Sequence, residues 1–324
     1  MRTLPWLVLL SLLIACPDDD DDIATDDDDA TDDDDAVETF DCSTVAAAPS
    51  SVRVVDGARG YHGLAIDDDG FMVGADGSAL IRSDYGGDWS VFLPTQDLME
   101  QMAFGPSGNL FANSGTLSVI RITPEGGTST LRADMWGYGL RVGEDGDLYT
   151  AGDNGVHRID RTDGSLRPFL EWETPDTARA LDWSPDGSKV YVGTISEGDL
   201  SGPLYVADLD EDGVAVGPPR VHSPDVGGGW HDGVAVDACG YIYVPEFWDS
   251  VLLRVDPQGN SIVYYDWDEN SSVDYGHGVI FGTGVAGWRE DALYLPMPYD
   301  NNRVQEIVIG VPGREWAGNV INAP

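Results

Sequence analysis

Beyond residue 45 the chain alternates short apolar runs with polar, Gly-containing turns, and one unit keeps returning. Its first part reads Gly63-Leu-Ala-Ile with Asp69-Gly70, Gln101-Met-Ala-Phe with Ser107-Gly108, and Gly139-Leu-Arg-Val with Asp145-Gly146. It recurs as Ala180-Leu-Asp-Trp with Asp186-Gly187 and as Gly233-Val-Ala-Val with Cys239-Gly240. A sixth copy, Gly278-Val-Ile-Phe, opens a longer connection through Trp288 to Asp291. The five turn glycines stand 38, 38, 41 and 53 residues apart. Each turn leads into a second apolar run, such as Lys189-Val-Tyr-Val or Tyr241-Ile-Tyr-Val, and then a third with Arg beside an aliphatic residue, as in Ile81-Arg82 and Leu253-Arg254.

Alternating apolar positions bounded by Asp-Gly or Ser-Gly turns are hairpin chemistry. No window of comparable length shows a helical period. Units of about 40 residues with three or four strands each are propeller blades in sequence form. Six copies predict an all-β fold, a six-bladed β-propeller of about four-stranded antiparallel blades over residues 46–324. The last copy is short of a fourth strand, and residues 51–55 are expected to supply it and close the ring. In such a ring every inner strand starts beside the central channel on the same face. The residues at those starts are His62, Glu100, Tyr138, Arg179, Asp232 and His277, all able to hydrogen bond, so the channel mouth is the candidate pocket.

The N-terminus has a different pattern. One Arg precedes an apolar run over 4–14, too short to span a bilayer, which reads as a secretory signal. It ends in Leu13-Ile14-Ala15-Cys16, which resembles a bacterial lipoprotein signal; that resemblance implies a lipid on Cys16 and an exported protein anchored in the bacterial cell envelope. Thirteen Asp follow within residues 18–35. A run of like charge repels itself and buries nothing, so an extended, solvated tether is expected. The expected organisation is therefore a signal peptide over 1–15, a lipidated Cys and disordered Asp-rich linker over 16–45, and the propeller over 46–324. The partners implied are a membrane, through the lipid, and a small-molecule or envelope ligand, with the propeller itself a monomer.

Charge narrows the partners further. The 324 residues carry 58 acidic against 17 basic side chains, a net charge of −41. Binding phosphate backbones needs clustered Lys and Arg, so nucleic acid is excluded. Lys189 is the lone lysine and sits in a turn, which argues against Schiff-base chemistry. Nucleophile-elbow, zinc-helix and phosphate-loop motifs are missing as well.

Two segments point to a family. Asp182-Trp-Ser-Pro-Asp-Gly187 with Val190-Tyr-Val, and His231-Asp-Gly-Val-Ala-Val-Asp-Ala-Cys-Gly-Tyr-Ile-Tyr-Val244 with Leu253-Arg-Val-Asp-Pro-Gln-Gly259, resemble the gluconolactonase and senescence-marker-protein family. The likeness covers roughly residues 60–300 and is strongest over 177–260; NHL-type propellers share the same strand-turn-strand grammar. The resemblance implies a divalent metal held at the mouth by Glu, Asn and Asp, with the Asp also acting as base. Asp232 matches that Asp. His62 stands at the position of the Glu, Arg179 at that of an Asn, and Gly137-Tyr138 around a further Asn.

Two readings of the mouth remain open. In one, polar strand starts merely line a wet channel and bind a ligand without catalysis. In the other, Asp232, His277, His62 and Glu100 hold one divalent metal, zinc or calcium, in a lactonase-like hydrolase or lyase. Asp232 or Glu100 would then be the base, and Arg179 and Tyr138 would stabilise developing negative charge.

Cys42 and Cys239 remain after Cys16. In an oxidising compartment they either form a bridge that fastens the tether to the domain or stay as two thiols. Trp230, Trp248, Tyr264, Tyr265, Trp267 and Tyr275 cluster around the fifth repeat and are expected to pack between blades. Gly227-Gly-Gly-Trp-His could instead form a sugar-binding or lid loop. Arg82-Ser-Asp84-Tyr-Gly86-Gly-Asp-Trp89 resembles the Asp-box of sialidase-type propellers and is expected to form a folded turn.

Overall fold

The second strand of most repeats is buried along nearly its whole length, as in Leu110–Ser114, Leu148–Gly152 and Ile242–Glu246. A strand covered on both faces needs no polar alternate, so these runs are mostly apolar or small, with buried Asn113 and Glu246 as exceptions near their ends. The computed structural model describes residues 40–77, 79–94, 99–115, 117–152, 155–174, 176–196, 202–270, 276–314 and 320–321. They form six four-stranded antiparallel sheets. Blade 1 runs from Leu64–Ile66 to Trp89–Pro94, blade 2 from Met99–Phe104 to Thr128–Ala133, and blade 3 from Gly139–Val142 to Leu166–Pro168. Blade 4 runs from Thr177–Trp183 to Arg220–Ser223 and blade 5 from Ala235–Val236 to Ser261–Asp266.

Blade 6 takes Ile280–Phe281, Ala292–Met297 and Arg303–Val308 from the end of the chain and its outer strand, Ser51–Arg59, from the beginning. This closes the ring where the sequence left a gap. The closing strand is longer than residues 51–55 because a bulge between Val55 and Arg59 carries the pairing on to Arg303.

The core is a ring of clusters rather than one centre. Ala180, Tyr191 and Val206 of blade 4 pack on Val234, Val244 and Leu253 of blade 5; Leu64 and Met72 of blade 1 pack on Tyr294 and Val304 of blade 6. Each blade thus buries both faces against neighbours, which stabilises the ring by hydrophobic burial distributed over every interface. The five turn glycines, Gly70, Gly108, Gly146, Gly187 and Gly240, all have positive φ, between 67° and 83°. The Asp-box-like segment forms the hairpin between the third and outer strands of blade 1.

The signal peptide, Cys16 and the Asp run lie outside the described residues. Residues 40–45, counted with the linker on sequence, are instead folded. Phe40–Asp41 pairs in parallel with Val320–Ile321, and the Asp41 side chain caps a 3-10 turn at Cys42–Thr44. Cys42 and Cys239 are joined by a disulfide, with Cα atoms 5.5 Å apart across 197 residues of sequence. Among the described residues no helix is long and apolar enough to cross a membrane.

Candidate functional site

A glycine follows His62, Tyr138, Asp232 and His277, and packing explains it. A Cβ on Gly63 would collide with the Glu100 carbonyl, one on Gly139 with the backbone of Arg179, and one on Gly278 with the carbonyl of His62. Each glycine therefore lets its inner strand approach the next blade's mouth residue. That close approach draws His62, Glu100, Tyr138, Arg179, Asp232 and His277 around one cavity, with Gln101 as a seventh member. The cavity measures about 10 Å³, room for about one water. Arg179, Asp232 and His277 are each 5% exposed and Glu100 is 8% exposed.

These groups pair among themselves. Arg179 Nε donates to Asp232 Oδ1 in a buried ion pair, and Trp230 Nε1 donates to the same oxygen at 2.9 Å. His277 Nδ1 lies 2.9 Å from Asp232 Oδ2. His62 Nδ1 meets Glu100 Oε2. The two imidazoles stack nearly parallel, centroids 4.5 Å apart and planes 11° off. The Arg179 guanidinium lies over the Tyr138 ring at 3.8 Å and within 5.0 Å of the Trp230 ring, within cation–π range of both.

Burial alone would raise the Asp232 carboxyl, but the Arg179 guanidinium, together with His277 and His62, overcomes it and holds Asp232 well below the usual carboxylate range. Burial lowers the His277 imidazole, which keeps it neutral at pH 7 despite Asp232 beside it. Asp232 is thus a poor proton acceptor: Oδ1 accepts from Arg179 and Trp230, while Oδ2 lies beside His277 Nδ1 without a hydrogen bond. Among the described residues no group of three or more His, Cys, Asp or Glu side chains is placed to hold a metal ion. His62, Glu100, Asp232 and His277 do come together, yet as two carboxylate–imidazole pairs with a guanidinium among them, which does not fit a divalent cation.

Gln101 was not singled out on sequence. Its Nε2 donates to the His62 carbonyl at 3.0 Å and to the Asp232 carbonyl at 3.1 Å, bridging blades across the channel. The signal was present: Gln101 occupies a position that is Gly or Ala in every other copy of the repeat. The aromatic residues divide. Tyr264 and Trp267 lie in the core between blades 5 and 6, as expected, and Tyr275 lies outside the described residues. Trp230 and Trp248 belong instead to the mouth. Trp248 is 53% exposed and packs edge-on against Trp230 at 5.4 Å and Phe247 at 5.3 Å. Their loops are pinned by buried Glu246, which accepts N–H groups of Trp230, Trp248 and Asp249.

Comparison with known proteins agrees with this architecture. Residues 176–273 match the family model of the SMP-30/Gluconolactonase/LRE-like region. This gluconolactonase-like region spans blades 4 and 5 and includes Arg179 and Asp232. A gluconolactonase from Xanthomonas campestris is 16% identical with a TM-score of 0.65, covering 85% of this chain and 94% of that one. An auxiliary nutrient binding protein from Bacteroides thetaiotaomicron is 12% identical with a TM-score of 0.60, covering 79% and 70%. A virginiamycin B lyase from Staphylococcus aureus is 14% identical with a TM-score of 0.55, covering 80% and 99%. At these identities the likeness is one of fold, which hosts binding proteins and enzymes alike. No curated protein sequence matches the chain.

Proposed function

We propose that this protein is an exported lipoprotein, anchored by a lipid on Cys16 and spaced from the membrane by its Asp-rich segment. Its gluconolactonase-like propeller binds a small-molecule or envelope ligand at the channel mouth, without the resembled family's metal-dependent lactonase chemistry. One observation carries the reading: Asp232, the residue matched to the family's base, is ion-paired to Arg179 beside a cavity of about 10 Å³. A carboxylate held ionised by a guanidinium cannot readily accept a proton, and the space admits a water rather than a lactone. The exposed aromatics above it, Trp136, Trp248 and Tyr299, offer a contact surface.

The attachment point supports the same picture. Cys239 lies in the turn after blade 5's inner strand, on the face opposite Asp232 at that strand's start, and Cys42 is bridged to it.

The alternative, a lactonase-like hydrolase or lyase, draws on the family match and on the convergence of His62, Glu100, Asp232 and His277. The test is a panel of lactones incubated with the purified protein and with Asp232→Ala. We expect no turnover above the variant's background; turnover that Asp232→Ala abolishes would install the hydrolase reading instead. Cell fractionation covers the anchor: Cys16→Ser is expected to move the protein from the membrane to the soluble fraction, and an unchanged distribution refutes lipidation.

A further inference from the structure

Arg179 reaches the mouth as a buried cation with most of its hydrogen-bonding capacity free. A guanidinium carries five N–H donors. Nε is engaged by Asp232, while the Nη groups make no hydrogen bond to the described residues and are not enclosed by them. Beside it, His277 Nε2 and Gln101 Oε1 are buried and also without partners. Native proteins rarely leave buried polar atoms unbonded, and Gln101 Oε1, both His277 ring nitrogens and Asp232 Oδ2 around one cavity call for an explanation. The guanidinium cannot relieve this by turning away, because Tyr138 and Trp230 lie against it and Asp232 holds Nε.

Its position supplies the explanation. By the likeness noted above, Arg179 stands where a metal-ligating Asn is expected, and Asp232 where the partner Asp is. A divalent ion at coordination distance from Asp232 would meet the full positive charge of Arg179 and lose one of its ligands. We infer that Arg179 is a built-in cation occupying the place of a metal ion, so that the mouth receives its ligand's oxygens on Nη–H groups rather than on a metal. The planar fork suits two acceptor oxygens side by side, as in a carboxylate or neighbouring hydroxyls. That ligand chemistry rests on the binding reading proposed above; the replacement of the metal does not.

Metal titration decides it. The full chain, stripped with chelator and then titrated calorimetrically with calcium and with zinc, is compared with Arg179→Asn and Arg179→Lys. The Asp-rich segment is common to all three, so its weak uptake of cations cancels. Wild type and Arg179→Lys are expected to show no saturable site beyond that common uptake, whereas Arg179→Asn gains one that is roughly tenfold or more tighter. A stoichiometric metal on wild type, or a folded Arg179→Asn chain with no gain, overturns the inference. Should Arg179→Asn fail to fold, the melting temperature of wild type before and after chelation decides alone: it is expected to stay constant, and a fall overturns the inference. Lactone turnover by the metal-free chain would remove the binding reading and leave the internal cation in place; a metal released by chelator would do the reverse.

Discussion

At its mouth the central channel narrows to about 10 Å³ among seven polar side chains, whereas where the inner strands end it opens into a cavity of about 550 Å³. The wide end is walled largely by Leu64, Ile66, Met102, Phe104, Val236 and Ile280. By size alone it is the better small-molecule site. Its Arg141 and Asp182, however, bond to the protein itself. Arg141 donates to the carbonyls of Leu140, Val234 and Val279, and Asp182 accepts from Trp183 N, Val236 N and Arg314 Nε. At the mouth His277 Nε2 and Gln101 Oε1 are buried and lack such partners. Volume limits what fits, while unbonded buried groups define what is recognised, and on that criterion the narrow end is the better candidate site.

The two arginines offer the sharpest way to break this contrast. Arg179→Met leaves Asp232 buried without its ion-pair partner, and removing one member of such a pair costs about 3–5 kcal/mol. Arg141→Met removes hydrogen bonds from the Leu140, Val234 and Val279 carbonyls, a loss of about 1–3 kcal/mol. Urea unfolding should therefore shift much further for Arg179→Met. Equal shifts would mean that the mouth pair is no more tightly held than the far-end plug.

Much of this contrast was legible beforehand. The turn glycines and apolar runs announced the blades because each hairpin carries its own local chemistry, and blade geometry then placed His62, Glu100, Tyr138, Arg179, Asp232 and His277 at one opening. What remained hidden was which side chain pairs with which. Arg179 finds Asp232 and His62 finds Glu100 through distances set by the stagger of neighbouring blades, and no spacing in the sequence encodes that. Trp230 was misplaced for a related reason: an aromatic at a strand start can face a neighbouring blade or the channel, and only its bond to Asp232 distinguishes the two.

His231, next to Asp232 but turned into the protein, gives a pH-dependent test of how rigid the mouth is. It is fully buried, with Nδ1 accepting from Thr194 N at 3.1 Å and Nε2 donating to the Val226 carbonyl at 2.7 Å. Burial pushes its imidazole down from 6.5 to about 4. The unfolded chain thus takes up a proton before the folded one does, so this group's contribution is complete above pH 6.5 and is lost as pH falls toward 4. Two to three pH units of separation correspond to about 3 kcal/mol. In His231→Gln the fall in stability over that window should flatten by that amount; an unchanged slope would show that the imidazole takes up its proton without disturbing the mouth.

The smallest effect concerns the loops that carry the exposed aromatics. Glu246 is buried, burial raises its carboxyl above the ordinary range, and it accepts from Trp230 N at 3.1 Å, Trp248 N at 3.2 Å and Asp249 N at 2.7 Å. Glu246→Gln keeps one acceptor oxygen and the shape but turns the other toward the Asp249 N–H as a second donor. A loss of about 1–2 kcal/mol is expected. Asp182→Asn is the matched change at the wide end, where Oδ2 accepts Val236 N. Hydrogen exchange separates the two ends: Glu246→Gln should speed exchange at Trp230, Trp248 and Asp249 while leaving Val236 protected, and Asp182→Asn should do the opposite. If either substitution loosens both ends together, the channel behaves as one cooperative unit, and its narrow and wide mouths cannot be assigned separate roles.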